Sequence, residues 1–152
     1  MKSRRMFICL FLAVVAFILA GCAKGKYVPK PNEELYGTWT NEEMSHQKTV
    51  NHPDGKFEDY FSVSDTTPFR GGTTEIVKKW TDSEGNVWYN TCDTFTTGSV
   101  KGHKVQNLWK ISKSGTVAEF VWSEVGQFDP SKFPTTIDPK GNNYFIFNSA
   151  GK

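Results

Sequence analysis

Three short glycine turns recur along the chain at a fixed spacing. They are Pro53-Asp54-Gly55, Ser83-Glu84-Gly85 and Lys113-Ser114-Gly115, and each precedes a run rich in aromatic and β-branched residues. Glycine supplies the positive φ that tight hairpins require, and such runs are typical of strands. The spacing therefore predicts strand-turn-strand units in an antiparallel meander, with the three glycine turns at one end. The looser connections at the other end are then 64–73, 96–102 and 123–141.

Side chains alternate between two faces in the runs between these turns. The faces that we predict to point inward carry Thr74, Ile76, Lys78 and Trp80 in one run, Val105, Asn107, Trp109 and Ile111 in the next, and Thr116, Ala118, Phe120 and Trp122 in a third. Period-two alternation is the mark of a sheet with one buried face. The strands that we predict are 36–42, 46–50, 57–63, 73–80, 86–93, 103–111, 116–122 and 143–148. A meander of roughly eight strands closes to remove its edges, so the sequence predicts an all-β, up-and-down barrel.

The chain begins with a segment typical of export signals. Met1 to Arg5 carries three basic residues and no acid, and Met6 to Ala20 is uncharged and mostly apolar. That run is short for a membrane span, which needs about 20 residues. A cleaved signal peptide is therefore favoured over a retained anchor. Ser3-Arg4-Arg5-Met6-Phe7 also resembles the twin-arginine export motif, so both the general secretory route and the twin-arginine route remain open.

Leu19-Ala20-Gly21-Cys22, at the end of the leader, resembles the lipobox of bacterial lipoproteins at all four positions. The resemblance implies transfer of a diacylglyceryl group to the Cys22 thiol and cleavage before Cys22. Acyl chains such as palmitate contribute about 0.8 kcal/mol per buried CH₂, so two or three hold a domain on a bilayer. We therefore expect a lipid-anchored protein of the bacterial cell envelope, on the outer membrane of a Gram-negative cell or otherwise on the cell-membrane surface.

Removal of the leader changes the size and charge of the chain. Taking residues 1–21 from 152 leaves 131, which is enough for one domain with a core. The leader holds three of the 18 basic residues, so 15 remain against 16 acidic ones. Without a basic stripe, and with Arg70 as the single arginine after the leader, no nucleic-acid partner is expected. We assign residues 22–34 to a lipidated cysteine and flexible tether, and 35–152 to the barrel.

Leu35-Tyr36-Gly37-Thr38-Trp39, at the start of the first predicted strand, resembles the Gly-x-Trp signature of lipocalins and their calycin relatives. The resemblance implies an eight-stranded barrel in which Trp39 packs across the closed end and Gly37 permits close approach of strands. The chain departs from lipocalins because 142–152 holds no arginine and no helix follows the last strand. Avidins also lack that helix, but Glu42-Glu43 falls where their biotin loop is uncharged, so biotin is not the expected ligand.

Aromatic residues on the predicted inward faces and in the longest connection are the candidate ligand-binding residues. They form either a filled core or the wall of a cavity for an apolar ligand, and the sequence leaves both open. Phe128 and Phe133, in the connection 123–141, either cover the barrel mouth or plug the edge of the core. The full candidate set is Trp80, Trp109, Phe120, Trp122, Phe128 and Phe133.

No pattern in the chain predicts catalysis. His46, His52 and His103 lack metal-ligand spacing, and there is no nucleophile elbow or phosphate-binding glycine loop, so we expect no enzyme, metal or cofactor. The leading hypothesis is a lipid-anchored barrel that binds or carries a small, mainly apolar molecule or a peptide. The alternative is a surface or periplasmic protein-interaction lipoprotein, with a barrel filled by side chains and no small ligand.

Overall fold

The computed structural model describes residues 27–41, 43, 46–126 and 129–151, and these residues form a closed barrel of eight strands. The strands are β1 (Gly37–Thr40), β2 (Lys48–Asn51), β3 (Lys56–Tyr60), β4 (Arg70–Thr81), β5 (Val87–Phe95), β6 (Lys104–Ile111), β7 (Val117–Val125) and β8 (Tyr144–Gly151). Every strand pairs antiparallel with its neighbour in sequence, and β8 returns to pair with β1. A 3-10 turn at Pro130–Lys132 lies between β7 and β8. The predicted all-β, up-and-down barrel is confirmed.

The three glycine turns lie together at one end of the barrel, as predicted. Gly55, Gly85 and Gly115 have φ of 81°, 89° and 72°. Each donates its backbone N–H to the carbonyl three residues earlier, over 3.0, 3.1 and 2.7 Å respectively. The same turn geometry therefore joins β2 to β3, β4 to β5 and β6 to β7. We call this end the closed end, and the opposite end, where the longer connections lie, the open end.

A β-bulge in β4 reverses the predicted orientation of Trp80. Ile76 pairs with Thr91, whereas Lys78 pairs with Asn90, so Val77 is an extra residue in β4. A bulge of this kind shifts every later side chain to the other face. Lys79 rather than Lys78 therefore points inward, and Trp80 lies on the outer wall. The sequence-based assignment of Trp80 to the inner face is wrong for this reason.

The closed-end half of the barrel is filled by apolar side chains. Its buried cluster comprises Leu35, Tyr36, Trp39, Ile76, Tyr89, Trp109, Ile111, Ala118, Phe120 and Phe147. Trp39 is 1% exposed, and its indole N–H donates to the carbonyl of Leu35 over 2.8 Å. The Trp39 and Trp109 rings lie 6.5 Å apart. Interiors of eight-stranded barrels are narrow enough for side chains to fill, and this half is filled.

The chain before β1 packs against the closed end. Glu33 is 2% exposed, and its carboxylate accepts hydrogen bonds from Lys79 Nζ (2.7 Å), from the Tyr89 hydroxyl (2.9 Å), from the Lys30 N–H (2.8 Å) and from the Tyr27 hydroxyl. Burial alone raises the pKa of such a group, but these donors hold the pKa of Glu33 at about 2. Residues 27–34, assigned from sequence to the tether, are thus attached to the barrel.

In the described part of the chain, no helix is long and apolar enough to cross a bilayer.

The buried Glu33 carboxylate makes a testable contribution to stability. We expect Glu33→Gln to lower the free energy of unfolding at pH 7 by about 2 kcal/mol, because Lys79 and two tyrosine hydroxyls lose a charged acceptor. A carboxylate with a depressed pKa stabilises the fold above pH 4.5 and loses that contribution as the pH falls towards 2. Urea unfolding at pH 7 and pH 3 measures both effects, and the variant should show a smaller pH dependence.

Glu84→Gln, at an exposed carboxylate in a closed-end turn, is the matched control for Glu33→Gln. An equal loss of stability in the two variants would contradict a special role of Glu33.

Gly72 permits the close approach of β4 to its two neighbouring strands. A Cβ at this position would lie 2.1 Å from the Thr94 carbonyl oxygen and 2.8 Å from a ring carbon of Phe57. Because the Thr94 obstacle is backbone, we expect Gly72→Ala to lower the free energy of unfolding by about 2 kcal/mol or more. Gly126→Ala, with no described atom within 4 Å of the added carbon, should change it by less than about 0.5 kcal/mol. Urea denaturation of both variants checks the difference.

Candidate ligand-binding site

The open-end half of the barrel encloses a cavity of about 350 Å³. This volume is at the lower end of the range typical of small-molecule sites. We call this space the lumen. Its lining comprises Glu43, His46, Thr49, Asn51, Phe57, Asp59, Arg70, Asp93, Phe95, Val100, His103, Val105, Asn107, Trp109, Phe120, Trp122, Phe145 and Phe147.

Aromatic rings form the floor of the lumen, where it meets the filled half of the barrel. The Trp109 ring lies 4.4 Å from Phe120 and 5.5 Å from Phe147, measured between centroids. Phe120 and Phe147 meet edge to face at 5.7 Å. Such tilted and edge-to-face pairs are favourable ring arrangements. The floor is therefore a rigid apolar surface that already has its own packing partners.

A charged network occupies the rim of the lumen, next to the open end. Arg70 Nε donates to Asp59 Oδ2 over 2.6 Å, and the Thr49 hydroxyl donates to Asp59 Oδ1 over 2.7 Å. The Arg70 guanidinium also lies between the rings of Phe69 and Phe95, at 5.1 and 4.9 Å from their centroids. Arginine stacks well on aromatic faces, so Arg70 is held in place by both contacts.

His46 completes this rim network as a neutral side chain. Its Nδ1 lies 3.3 Å from Arg70 Nη2, and a guanidinium can only donate, so Nδ1 is the acceptor and the ring proton is on Nε2. Burial lowers the pKa of His46, and the Arg70 charge acts in the same direction while Asp59 opposes it. His46 therefore adds no positive charge to the rim at neutral pH.

A polar pair lies among the apolar side chains of the lumen wall. Asn107 Nδ2 donates to Asp93 Oδ2 over 2.7 Å and to the Thr91 hydroxyl over 3.1 Å. The other oxygens, Asp93 Oδ1 and Asn107 Oδ1, are buried and have no hydrogen-bond partner among the described residues. Burial raises the pKa of the Asp93 carboxyl to about 7. The lumen wall thus contains two hydrogen-bond acceptors that the protein leaves unsatisfied.

Three of the predicted ligand-binding residues line the lumen together. Trp109, Phe120 and Trp122 contribute to its floor and wall, from the inward faces of β6 and β7 that the alternation predicted. Trp39 lies beneath them in the filled half, next to Trp109, and Gly37 begins β1.

Trp80 lies on the outer wall, away from these three residues. Its ring stacks on Trp88 with centroids 5.7 Å apart, and Lys78 Nζ lies 4.8 Å from its centroid. On the other side of the pair, the Trp88 indole N–H donates to Asp82 over 2.8 Å, and Lys110 lies over the ring. We call Trp80 and Trp88 the outer tryptophan pair.

The connection between β7 and β8 contacts the outer wall. The side-chain amide of Gln106, which points away from the lumen, donates to the Asp129 carbonyl over 2.8 Å and accepts from the Asp129 N–H over 3.3 Å. The Ser123 hydroxyl donates to the Lys132 carbonyl over 3.3 Å. Phe133 is half-buried and is not part of the lumen lining, and Phe128 lies outside the described residues.

Two cysteines remain after the predicted leader, Cys22 and Cys92, and the structure describes only Cys92. Cys22 lies outside the described residues. Cys92 is a buried free thiol on the outer face of β5, opposite Gln106. Burial raises the pKa of this thiol, so it forms the reactive thiolate less readily than an exposed cysteine does.

Sequence reasoning did not identify the polar residues of the lumen. Asp93 shares an inward face with Tyr89, Thr91 and Phe95. A carboxylate on the inner face of a predicted barrel could have indicated a polar site in the lumen. The alternation placed Asn107 on the inner face of β6, but it did not indicate that one amide oxygen would lack a partner. Arg70 was predicted to be a loop residue, because β4 was expected to begin at 73.

Among the residues that the structure describes, no group of three or more side chains is arranged to hold a metal ion.

Comparisons of the chain with protein-family models, with curated proteins and with solved structures find no match. The function proposed below therefore rests on the geometry of the lumen and on the residues of the leader.

Proposed function

We propose that this chain is a lipid-anchored protein of the bacterial cell envelope whose barrel binds or carries a small, mainly apolar molecule. The observation that carries the proposal is the lumen, a cavity of about 350 Å³ between an aromatic floor and a charged rim. The lumen size suits one compact ligand, because cavities of this class begin at about 300 Å³.

The filled and open halves of the barrel support a binding role. The floor is built from rings that already pack on one another, so its shape exists before a ligand arrives. A preformed apolar surface lowers the cost of binding. Each 100 Å² of apolar surface that a ligand removes from water contributes about 2.5 kcal/mol. A ligand that covers the floor and part of the wall can therefore bind through apolar contacts alone.

The anchor part of the proposal is supported by the leader. A basic start, an apolar run and Leu19-Ala20-Gly21-Cys22 occur in the order that bacterial lipoprotein precursors show. Acylation of Cys22 would place the barrel at a membrane surface while leaving it folded in water.

A protein-interaction role through the outer wall is the competing candidate. The outer tryptophan pair favours it, because stacked and partly exposed tryptophans are common where proteins meet. Under this alternative, small molecules do not bind in the lumen, and the outer wall carries the activity.

A neutral apolar probe distinguishes the two functions. We expect N-phenyl-1-naphthylamine to gain fluorescence on binding to the purified protein. Trp122→Ala should weaken that binding about tenfold, because a lumen ring contributes about 1.4 kcal/mol of contact. Trp88→Ala, which removes a tryptophan of similar burial from the outer wall, should leave the affinity unchanged. No binding by the unmodified protein, or equal losses in the two variants, would favour the interaction role.

Acylation has a separate test in cells. We expect Cys22→Ser to abolish incorporation of labelled palmitate and to leave an uncleaved precursor, because only a thiol forms the thioether. Cys92→Ser, which alters the buried thiol of the barrel, should leave labelling and processing intact. Continued labelling of Cys22→Ser would refute the anchor.

A further inference from the structure

The lumen wall contains acceptors without donors. Asn107 is completely buried, and both hydrogens of its amide are used, on Asp93 and Thr91, while its carbonyl oxygen has no partner in the described part of the chain. One oxygen of the Asp93 carboxylate is in the same state. Buried polar atoms of folded proteins are nearly always paired, so two unpaired acceptors next to one another are unusual. Both oxygens therefore lack a hydrogen-bond donor among the described residues.

The charges of the lumen are also unbalanced. Arg70 is the only lysine or arginine among the described lining residues, and its guanidinium is already paired with Asp59 at 2.6 Å. His46 is neutral, as its contact with Arg70 shows. In the described chain, Asp93 forms no ion pair within 4 Å. When its carboxyl is ionised, Asp93 therefore adds a negative charge to the lumen that no ion pair of the described residues offsets, and the other titratable side chains of the lining are Glu43 and His103.

The walls around this charge are aromatic. Trp109, Phe120 and Trp122 line the lumen together with four further phenylalanines. The faces of aromatic rings attract cations, most strongly where water is excluded. An anionic ligand finds the opposite environment, since the one arginine is occupied and the nearby carboxylate repels it.

We propose that the lumen binds a small organic cation: a protonated amine attached to an apolar or ring-bearing body. The ammonium group donates to the carboxylate of Asp93, which is half-buried in the lumen lining, and the apolar body lies on the aromatic floor. This inference rests on the proposed ligand-binding function and narrows its ligand class. The volume of about 350 Å³ restricts the cation to a compact one.

Three probes with the same ring test the ligand class. Phenethylamine, 2-phenylethanol and phenylacetate carry a positive, a neutral and a negative group at one end. Calorimetric titration of the full chain in detergent at pH 8 measures the affinity for each probe. We expect phenethylamine to bind at least tenfold more tightly than 2-phenylethanol and more tightly still than phenylacetate. Equal or tighter binding of the alcohol or the acid overturns the inference but leaves the proposed function standing. Binding of none of the three also overturns it, and the proposed function then fails only if the neutral naphthylamine probe does not bind either.

Asp93→Asn tests the assigned residue with little change in shape. We expect it to lower the affinity for phenethylamine to that for 2-phenylethanol, and to leave the alcohol within twofold. Glu75→Gln, at an exposed carboxylate on β4, should change neither affinity. Retained preference for the amine in Asp93→Asn overturns the inference.

The stability of Asp93→Asn separates a ligand-binding role from a structural one. Burial raises the pKa of Asp93 from the ordinary 3.8 to about 7, so its titration destabilises the fold progressively between these two pH values, and the full cost is present above pH 7. At pH 8 the variant should unfold at the same or a higher urea concentration than the unmodified protein. A lower midpoint would identify Asp93 as a structural residue and overturn its assignment to the ligand.

The affinity for the amine should also depend on pH. Burial is the main cause of the raised pKa of Asp93, and the charge of Asp59 on β3 adds to it, while hydrogen bonds from Thr74 and Asn107 and the charge of Arg70 lower it, with a result of about 7. The lining also holds the titratable side chains of Glu43, His46 and His103. An alkylammonium stays charged up to about pH 10. We therefore expect about a tenfold loss of phenethylamine affinity from pH 8 to pH 6, as Asp93 is protonated, and no change for 2-phenylethanol. A flat profile for the amine contradicts the proposed contact.

Discussion

The pairing of β8 with β1 closes the sheet, and the interior of the protein depends on that closure. Thr40 pairs with Asn148, and Trp39 with Ser149, so no sheet edge is left between the first and the last strand. Eight strands enclose a space just wide enough for side chains or for one small ligand. At each height along the barrel axis, the size of the inward side chains decides whether the interior is filled or open. Large rings and Leu35 fill the closed-end half, whereas shorter side chains such as Thr49 and Val105 leave the lumen open.

The buried carboxylates in the two halves of the barrel differ in how fully they are hydrogen-bonded. At the closed end, Glu33 is surrounded by four donors, and its pKa of about 2 reflects that complete satisfaction. In the lumen, one oxygen of Asp93 accepts from the Asn107 amide, and the other has no hydrogen-bond partner among the described residues. The first arrangement stabilises the fold at neutral pH, and the second opposes it once the carboxyl ionises. Such an uncompensated group inside a preformed cavity is typical of sites that are completed by a ligand.

Local patterns in the sequence predicted the barrel, but they did not predict for every strand which side chains point inward. The glycines at 55, 85 and 115 require positive φ, and an antiparallel meander places such turns at one end, so this much followed from local chemistry. The orientation of Trp80 did not, because the bulge at Val77 arises from pairing with β5 and leaves no mark in the alternation of β4. The burial of Gln106 on the outer wall depends on contacts with Asp129, 23 residues away. The lumen was partly predictable: Trp109 and Phe120 were placed correctly, while the significance of Asp93 depends on one carboxylate oxygen that has no hydrogen-bond partner among the described residues, which the sequence does not show.

The packing of residues 27–36 against the closed end bears on how the protein would sit at a membrane. Tyr27, the first described residue, contacts Glu33 at that end. If Cys22 is acylated as proposed, five Cα–Cα steps join it to Tyr27, a reach of at most about 18 Å. The nine residues of β5 extend about 30 Å along the strand, which exceeds this reach, so under that proposal the bilayer would lie nearer to the closed end than to the mouth of the lumen. A ligand would then arrive from the aqueous side of the envelope rather than by lateral transfer from the lipid, a route that suits a water-soluble cation better than a lipid tail.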